Sequence, residues 1–127
     1  MEPLPHYDLN DQIALVTGAA RGLGRAISLA LAQAGADVAL GLRDVNTGAS
    51  LAAEISGMGR QVLRLQMDVT RLDQISRAIE SVVERFGRLD ILVNNAGGGW
   101  GNLAEDVTEK EFDNTVALNT KSTFFAC

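Results

Sequence analysis

Val16-Thr17-Gly18-Ala19-Ala20-Arg21-Gly22-Leu23-Gly24 joins a short apolar run, Ile13–Val16, to a helix-favouring segment, Arg25–Ala34. Strand, glycine-rich turn and helix in that order aim the backbone N–H groups of a helix N-terminus at a phosphate. The three glycines take separate tasks. Gly18 allows the tight turn out of the strand, Gly22 lets backbone approach a pyrophosphate, and Gly24 lets the helix pack close to the sheet. The spacing Gly18-x3-Gly22-x-Gly24 departs from G-x-G-x-x-G, so the usual dinucleotide fingerprint does not match as written. Taken alone, a purely structural turn stays open as a reading.

Working outward, Gly35 stands where the first helix should be capped, and Val38–Leu42 reads as a second strand. Thr47–Ser56 carries Leu51, Ala52 and Ile55 at helical spacing, with Gly57 and Gly59 to end it. Gln61–Met67 reads as a third strand. The next helix has the clearest pattern. Thr70 and Asp73 resemble a capping box, Ile75, Ala78, Ile79, Val82, Val83 and Phe86 form one apolar stripe, and Gly87 supplies the stop. Asp90–Val93 is a fourth strand running into Asn94-Asn95-Ala96-Gly97 and a glycine-rich loop to Asn102. Thr108 and Glu111 form a second box, ahead of a helical tail expected to reach Phe125.

Strands alternating with helices imply a parallel sheet with helices on both faces, in which ligands sit outside the carboxyl ends of the strands. Thr17–Gly24, Arg43, Asp68 and Asn94–Gly97 each follow a strand, so four strand ends deliver polar or glycine residues to one edge.

Composition narrows the classes. The 127 residues are 46% hydrophobic and 21% charged, which suits one globular domain over residues 1–127, with residues 1–11 as a surface lead-in. A formal net charge of −5 argues against nucleic-acid binding, and no apolar run approaches a membrane span. Met1–His6 has neither the basic nor the apolar region of a signal peptide, and the single cysteine, Cys127, cannot form an internal disulfide. A cytoplasmic location is expected. His6, the only histidine, has no nearby partner, so it reads as a solvated terminal residue and no metal site is expected.

Thr17-Gly18-x3-Gly22-x-Gly24 with Asn94-Asn95-Ala96-Gly97 at the end of a fourth strand resembles the classical short-chain dehydrogenase/reductase family. Asp68-Val69 after the third strand and Asn119 in Leu118-Asn119 match two further family positions, so the resemblance runs from about Asp11 onward. It implies a Rossmann-like, doubly wound parallel sheet with four strands in the order 3-2-1-4, incomplete beside the two halves of such a fold. It also implies site roles. Backbone from Gly18 to Leu23 would hold the diphosphate and adjoining ribose, with Gly18, Ala20, Arg21, Gly22, Leu23 and Gly24 all counted as cofactor-binding positions. Asp68 would accept from the adenine amine with the Val69 backbone facing the ring. Asn95, Ala96 and Gly97 would line the ribose side and the floor of the nicotinamide pocket. One amide of Asn94-Asn95 would tie the fourth strand to its neighbour, with Asn95 nearer the cofactor. Asn119 would be catalytic, holding a water in the proton relay.

Cofactor choice turns on the end of the second strand. An NAD enzyme places an acidic residue there, whereas this chain has Leu42 followed by Arg43, and Arg21 precedes the second glycine. Two guanidiniums converging on a 2′-phosphate favour NADP(H), although Asp44 could serve NAD(H) one position late. Trp100, the only tryptophan, either walls a substrate pocket or covers the sheet edge. The resemblance further implies hydride transfer with a carbonyl or alcohol substrate and assembly as a homo-oligomer, a tetramer or dimer. Its acid/base Tyr, a Lys four residues on and a Ser belong beyond a fifth strand. Tyr7, the only tyrosine, precedes the first strand and lacks that lysine. A fragment of a longer enzyme, inactive alone, is therefore expected. A complete small nucleotide-binding module without activity is the alternative.

Overall fold

The computed structural model describes residues 7–127; His6 lies outside the described residues. Four parallel strands, β1 (Ile13–Thr17), β2 (Asp37–Leu42), β3 (Val62–Gln66) and β4 (Ile91–Val93), form one sheet in the expected order β3-β2-β1-β4. All of β1 is buried, as a β-branched and aliphatic run between two helical layers must be. Val16 pairs with Leu40 on one side and Val93 on the other, which brings the carboxyl ends of the central strands level.

Alternation along the strands divides the core between two faces. Val16, Val38, Leu40 and Leu42 pack against Ala32 of α1 (Gly22–Gln33) and Leu51 and Ile55 of α2 (Ala49–Gly57). Ile13, Leu15 and Ala39 face the other way, onto Ile75, Ala78 and Val82 of α3 (Leu72–Phe86). Ala126 joins them from the helical tail, which comprises α4 (Glu109–Val116), a single π turn (Ala117–Lys121) and α5 (Ser122–Ala126).

Several local expectations shift. The first helix begins at Gly22, inside the glycine turn. A 3₁₀ turn at Val45–Gly48 precedes α2, with Asp44 Oδ1 accepting from the Asn46 N–H at 2.9 Å. Gly57 is the last helical residue of α2, and Gly59, at φ +79°, lies just beyond the C-cap Met58. The Thr70–Asp73 capping box does not form. Asp68 Oδ1 takes the Thr70 hydroxyl at 2.7 Å and the Thr70 N–H at 3.0 Å, so α3 starts after Arg71 without a side-chain cap. A turn closed over two residues outcompetes the cap for the same hydroxyl. Val83 is 45% exposed, at the margin of a stripe whose centre is Ile75, Ala78 and Val82. Gly87 ends α3 at φ +80°, as read. The second box does form. Glu111 Oε2 accepts the Thr108 N–H at 2.8 Å, while Thr108 Oγ1 accepts the Glu111 N–H at 3.2 Å. The helical tail beyond it carries the π turn, which the apolar pattern did not signal.

Asp90 fastens the start of β4 to β1. Its Oδ2 accepts the Ile13 N–H at 2.8 Å, and its Oδ1 receives Arg88 Nε at 2.8 Å and Nη2 at 2.6 Å. The Arg88 hydrogen bonds, then the Ile13 N–H, hold its carboxyl below the usual carboxylate range, and the Thr108 backbone N–H does the same for Glu111. Both folded pKa values are depressed. Their stabilisation is therefore present above about pH 4 and is lost as pH falls through the lower folded values. Urea midpoints measured across the acid range should decline in that window, and Asp90→Asn should flatten the decline.

Candidate functional site

The carboxyl edge of the sheet opens into a cavity of about 660 Å³ lined by residues from all four strand ends. The turn after β1 supplies Gly18 through Leu23; the end of β2 supplies Leu42, Arg43, Asp44 and Thr47. Met67 and Val69 come from beyond β3, Asn95–Gly97 from beyond β4, and Leu118 from the π turn. The doubly wound sheet therefore gathers Gly18, Ala20, Arg21, Gly22, Leu23, Arg43, Val69, Asn95, Ala96 and Gly97 around one space.

Gly18 and Gly24 take the tasks the spacing suggested. Gly18 (φ +61°) turns the chain out of β1, and a Cβ there would lie 3.0 Å from Ala96 Cα. Gly22 (φ +57°) faces open space. Gly24 is buried and does not line the cavity; a Cβ on it would sit 2.2 Å from the Gly18 carbonyl oxygen and 2.6 Å from Asn95 Nδ2. Arg21 is the N-cap of α1 and its side chain caps nothing, while the first turn holds no acidic residue. The N–H groups of Gly22, Leu23 and Gly24 find no acceptor among the described residues. That leaves the positive end of a twelve-residue helix facing the cavity.

Thr17 is the hub that the motif reading passed over. Buried to 1% exposure, its hydroxyl accepts the Asn95 N–H at 3.0 Å and the Ala96 N–H at 2.9 Å and donates to the Val93 carbonyl at 3.4 Å. The signal was a threonine closing a strand otherwise made of Ile, Ala, Leu and Val, since a fully buried hydroxyl must find partners. Asn95 completes the joint by donating Nδ2 to the carbonyls of Thr17 at 3.1 Å and Gly18 at 3.2 Å. Asn95 is thus both the tie between strands and a cavity residue. Asn94 instead points to Cys127, with Nδ2 3.7 Å from Sγ.

Asp68 does not line the cavity; Met67 and Val69 on either side do. Its carboxylate is drawn into the turn by Thr70, whose hydroxyl holds it below the usual range; the Thr70 N–H, Arg43 and Arg71 act in the same direction and partial burial opposes them. Gln74 turns back to accept the Asp68 N–H at 2.7 Å. Asn119 also stands outside the cavity. Its Oδ1 accepts the Gly98 N–H at 3.1 Å, and its Nδ2 donates to the carbonyls of Gly98 at 2.6 Å and Thr115 at 2.9 Å. Gly97 is a glycine because a Cβ would lie 2.7 Å from Asn119 Oδ1. Thr47, Met67 and Leu118 are cavity residues that no local pattern marked, and Leu42 stands there at the position where an acidic residue would signal NAD.

Arg21 and Arg43 both reach the cavity, and neither guanidinium forms an ion pair or side-chain hydrogen bond among the described residues. Asp44 lines the same wall with one oxygen spent on Asn46. No described helix is long and apolar enough to cross a membrane.

The family model described as short chain dehydrogenase matches residues 12–127. The chain is 41% identical over 121 residues to the short chain dehydrogenase/reductase AacuN of Aspergillus aculeatus, covering 94% of this chain and 46% of that protein. It is 38% identical over 126 residues to the versicolorin reductase stcU of Emericella nidulans, covering 98% and 48% respectively. A crystal structure of a short chain dehydrogenase from Burkholderia cenocepacia in complex with NADP superposes with a TM-score of 0.88 at 37% identity, over 93% of this chain and 49% of that one. The chain spans about half the length of the curated relatives it matches.

Proposed function

The chain belongs to the short chain dehydrogenase family, and from that membership we propose that it supplies the cofactor-binding half of an oxidoreductase acting between NADP(H) and a carbonyl or alcohol substrate. The observation carrying the proposal is the pairing of an uncapped helix N-terminus with two unpartnered guanidiniums on the walls of one cavity. The residues present fit a dinucleotide phosphate. Gly22 leaves open the space a Cβ would occupy, and the N–H groups of Gly22–Gly24 await an acceptor. When bound, the nicotinamide supplies or accepts the hydride.

This chain's residues bind and orient. The Gly18–Gly24 turn and Leu23 hold the diphosphate. Arg21 and Arg43 grip a 2′-phosphate by charge-assisted hydrogen bonds. Val69 packs along the adenine, and Asp68, set back from the cavity wall with only Oδ1 engaged by Thr70, keeps Oδ2 to accept from the adenine amine. Ala20 and Asn95–Gly97 line the ribose and nicotinamide side. Asn119 holds the Gly98 backbone at donor and acceptor alike and so positions Gly97. Its carbonyl oxygen keeps a lone pair for the relay water that the family resemblance implies. The name of the versicolorin relative supports reduction as the working direction.

The NADP(H) preference is tested by Arg43→Ala. NADPH affinity should fall about tenfold, the order expected for a charge-assisted contact at a solvated rim, while NADH affinity stays within about twofold. Parallel fluorescence titrations with the two cofactors measure this. Equal losses would remove the 2′-phosphate assignment.

A further inference from the structure

Beside the cofactor cavity lies a second cleft, of about 300 Å³, between Gly99–Trp100 and Glu111, Asn114, Thr115 and Leu118. The last four recur at helical spacing, so one face of the tail forms a wall. Trp100 belongs to neither core cluster and is 37% exposed, so it is not a core residue. Its neighbours Gly98, Gly99 and Gly101 carry no side chains, and a Cβ on Gly99 or Gly101 would meet nothing within 4 Å. The loop thus presents one indole and almost nothing else. Covering the sheet edge would not leave an open cleft under the ring.

We infer that this cleft binds a flat, neutral, ring-bearing ligand stacked on the Trp100 indole, and that it receives the ring of the carbonyl or alcohol substrate. The second part rests on the cofactor reading above. Leu118 lines both the cleft and the cofactor cavity, with Gly97 on the one side and Gly99 on the other. Asn119 pins Gly98 between them. A ring against Trp100 therefore lies next to the end of the cavity where Gly97 stands.

The polar groups specify the rest. The Asn114 amide and the Thr115 hydroxyl bond no other side chain or backbone group among the described residues, and the Trp100 N–H is likewise uncommitted. They offer donors and acceptors to hydroxyl or carbonyl groups on a ring edge. Glu111 is committed by both oxygens, to Thr108 and Asn102, and stays ionised, which disfavours an anionic ligand. The volume stands at the lower end for ligand pockets and suits one or two fused rings.

Trp100 is the sole tryptophan, so its indole N–H gives one resonance. The protein is titrated with 2-naphthol and with trans-decahydro-2-naphthol, the saturated form of the same skeleton, while NADPH binding is followed separately. The indole resonance should shift saturably with 2-naphthol and at least about tenfold more weakly with the decahydro compound, because stacking needs the flat ring. By calorimetry Trp100→Ala should lose about tenfold in 2-naphthol affinity, Trp100→Phe should keep most of it, and both should bind NADPH as before. An unmoved indole, equal binding of the two probes, or an unchanged Trp100→Ala would overturn the ring site. NADPH binding with no naphthol response overturns this inference alone. A naphthol response without NADPH binding supports the ring site and removes the cofactor reading.

Discussion

Gly24→Ala is expected to destabilise the protein by at least about 3 kcal/mol and to abolish measurable NADPH binding at the same time. The added Cβ would lie 2.2 Å from the Gly18 carbonyl oxygen and 2.6 Å from Asn95 Nδ2, and the first of these is backbone that no rotamer change can move aside. Relief requires α1 to retreat from β1. That movement opens the Ala19–Ala32–Val16 side of the core and misaligns the N–H groups facing the cavity. Gly22→Ala is the informative partner. Its Cβ meets nothing within 4 Å, so the cost is the left-handed conformation alone, about 1 kcal/mol. Gly22→Ala should fold and yet lose NADPH affinity, because the methyl group occupies the approach reserved for phosphate. Chemical denaturation with cofactor titration on both variants checks the pair. If Gly24→Ala were as stable as the parent, the close helix-to-turn packing would not be the reason for that glycine.

Thr17→Val carries the second large effect. The substitution preserves shape but removes the hydroxyl that accepts two backbone N–H groups and donates to Val93, at a residue with 1% exposure. The Ala96 N–H then loses its acceptor at the junction of β1 and β4, while the Asn95 N–H keeps the Val93 carbonyl at 3.0 Å. The expected loss is about 1–3 kcal/mol, since an orphaned donor costs more than a hydrogen bond contributes. Thr17→Ser keeps the hydroxyl and should cost only about 1 kcal/mol, from the missing methyl group. The same comparison reads the site. Thr17→Val should weaken NADPH binding through the freed Asn95–Gly97 segment, and Thr17→Ser should largely restore it. A Thr17→Val variant as stable as the parent, with Thr17→Ser the weaker of the two, would show that the methyl group, and not the hydroxyl, matters at this position.

Much of this architecture was visible in single segments. Ile13–Val16 read as a doubly covered strand from its unbroken apolar run, and the stripe Ile75, Ala78, Val82 as a helix with one buried face from its spacing. The tasks of Gly18 and Gly24 were legible because a strand-to-helix turn imposes them locally. Errors arose where a side chain had a choice of partner. Thr70 could cap α3 or close a turn with Asp68, and the turn took its hydroxyl. That same turn holds Asp68 off the cavity wall that its neighbours Met67 and Val69 form. The π turn in the tail left no mark on the apolar pattern, since one widened turn is too short to set a period of its own.

Order and type of elements, the carboxyl-edge location of the site and the family resemblance were determined by the amino-acid sequence alone, because periodicity and turn chemistry act over a few residues. Tertiary structure decided which group meets which. It joined the Thr17 hydroxyl to amides 78 and 79 positions away, placed Arg21 and Arg43 on one cavity, and set Leu118 between that cavity and the Trp100 cleft. Those pairings depend on strand register and on how helices pack across the sheet, so a residue's partner is settled by the assembled fold and leaves no periodic trace near the residue itself.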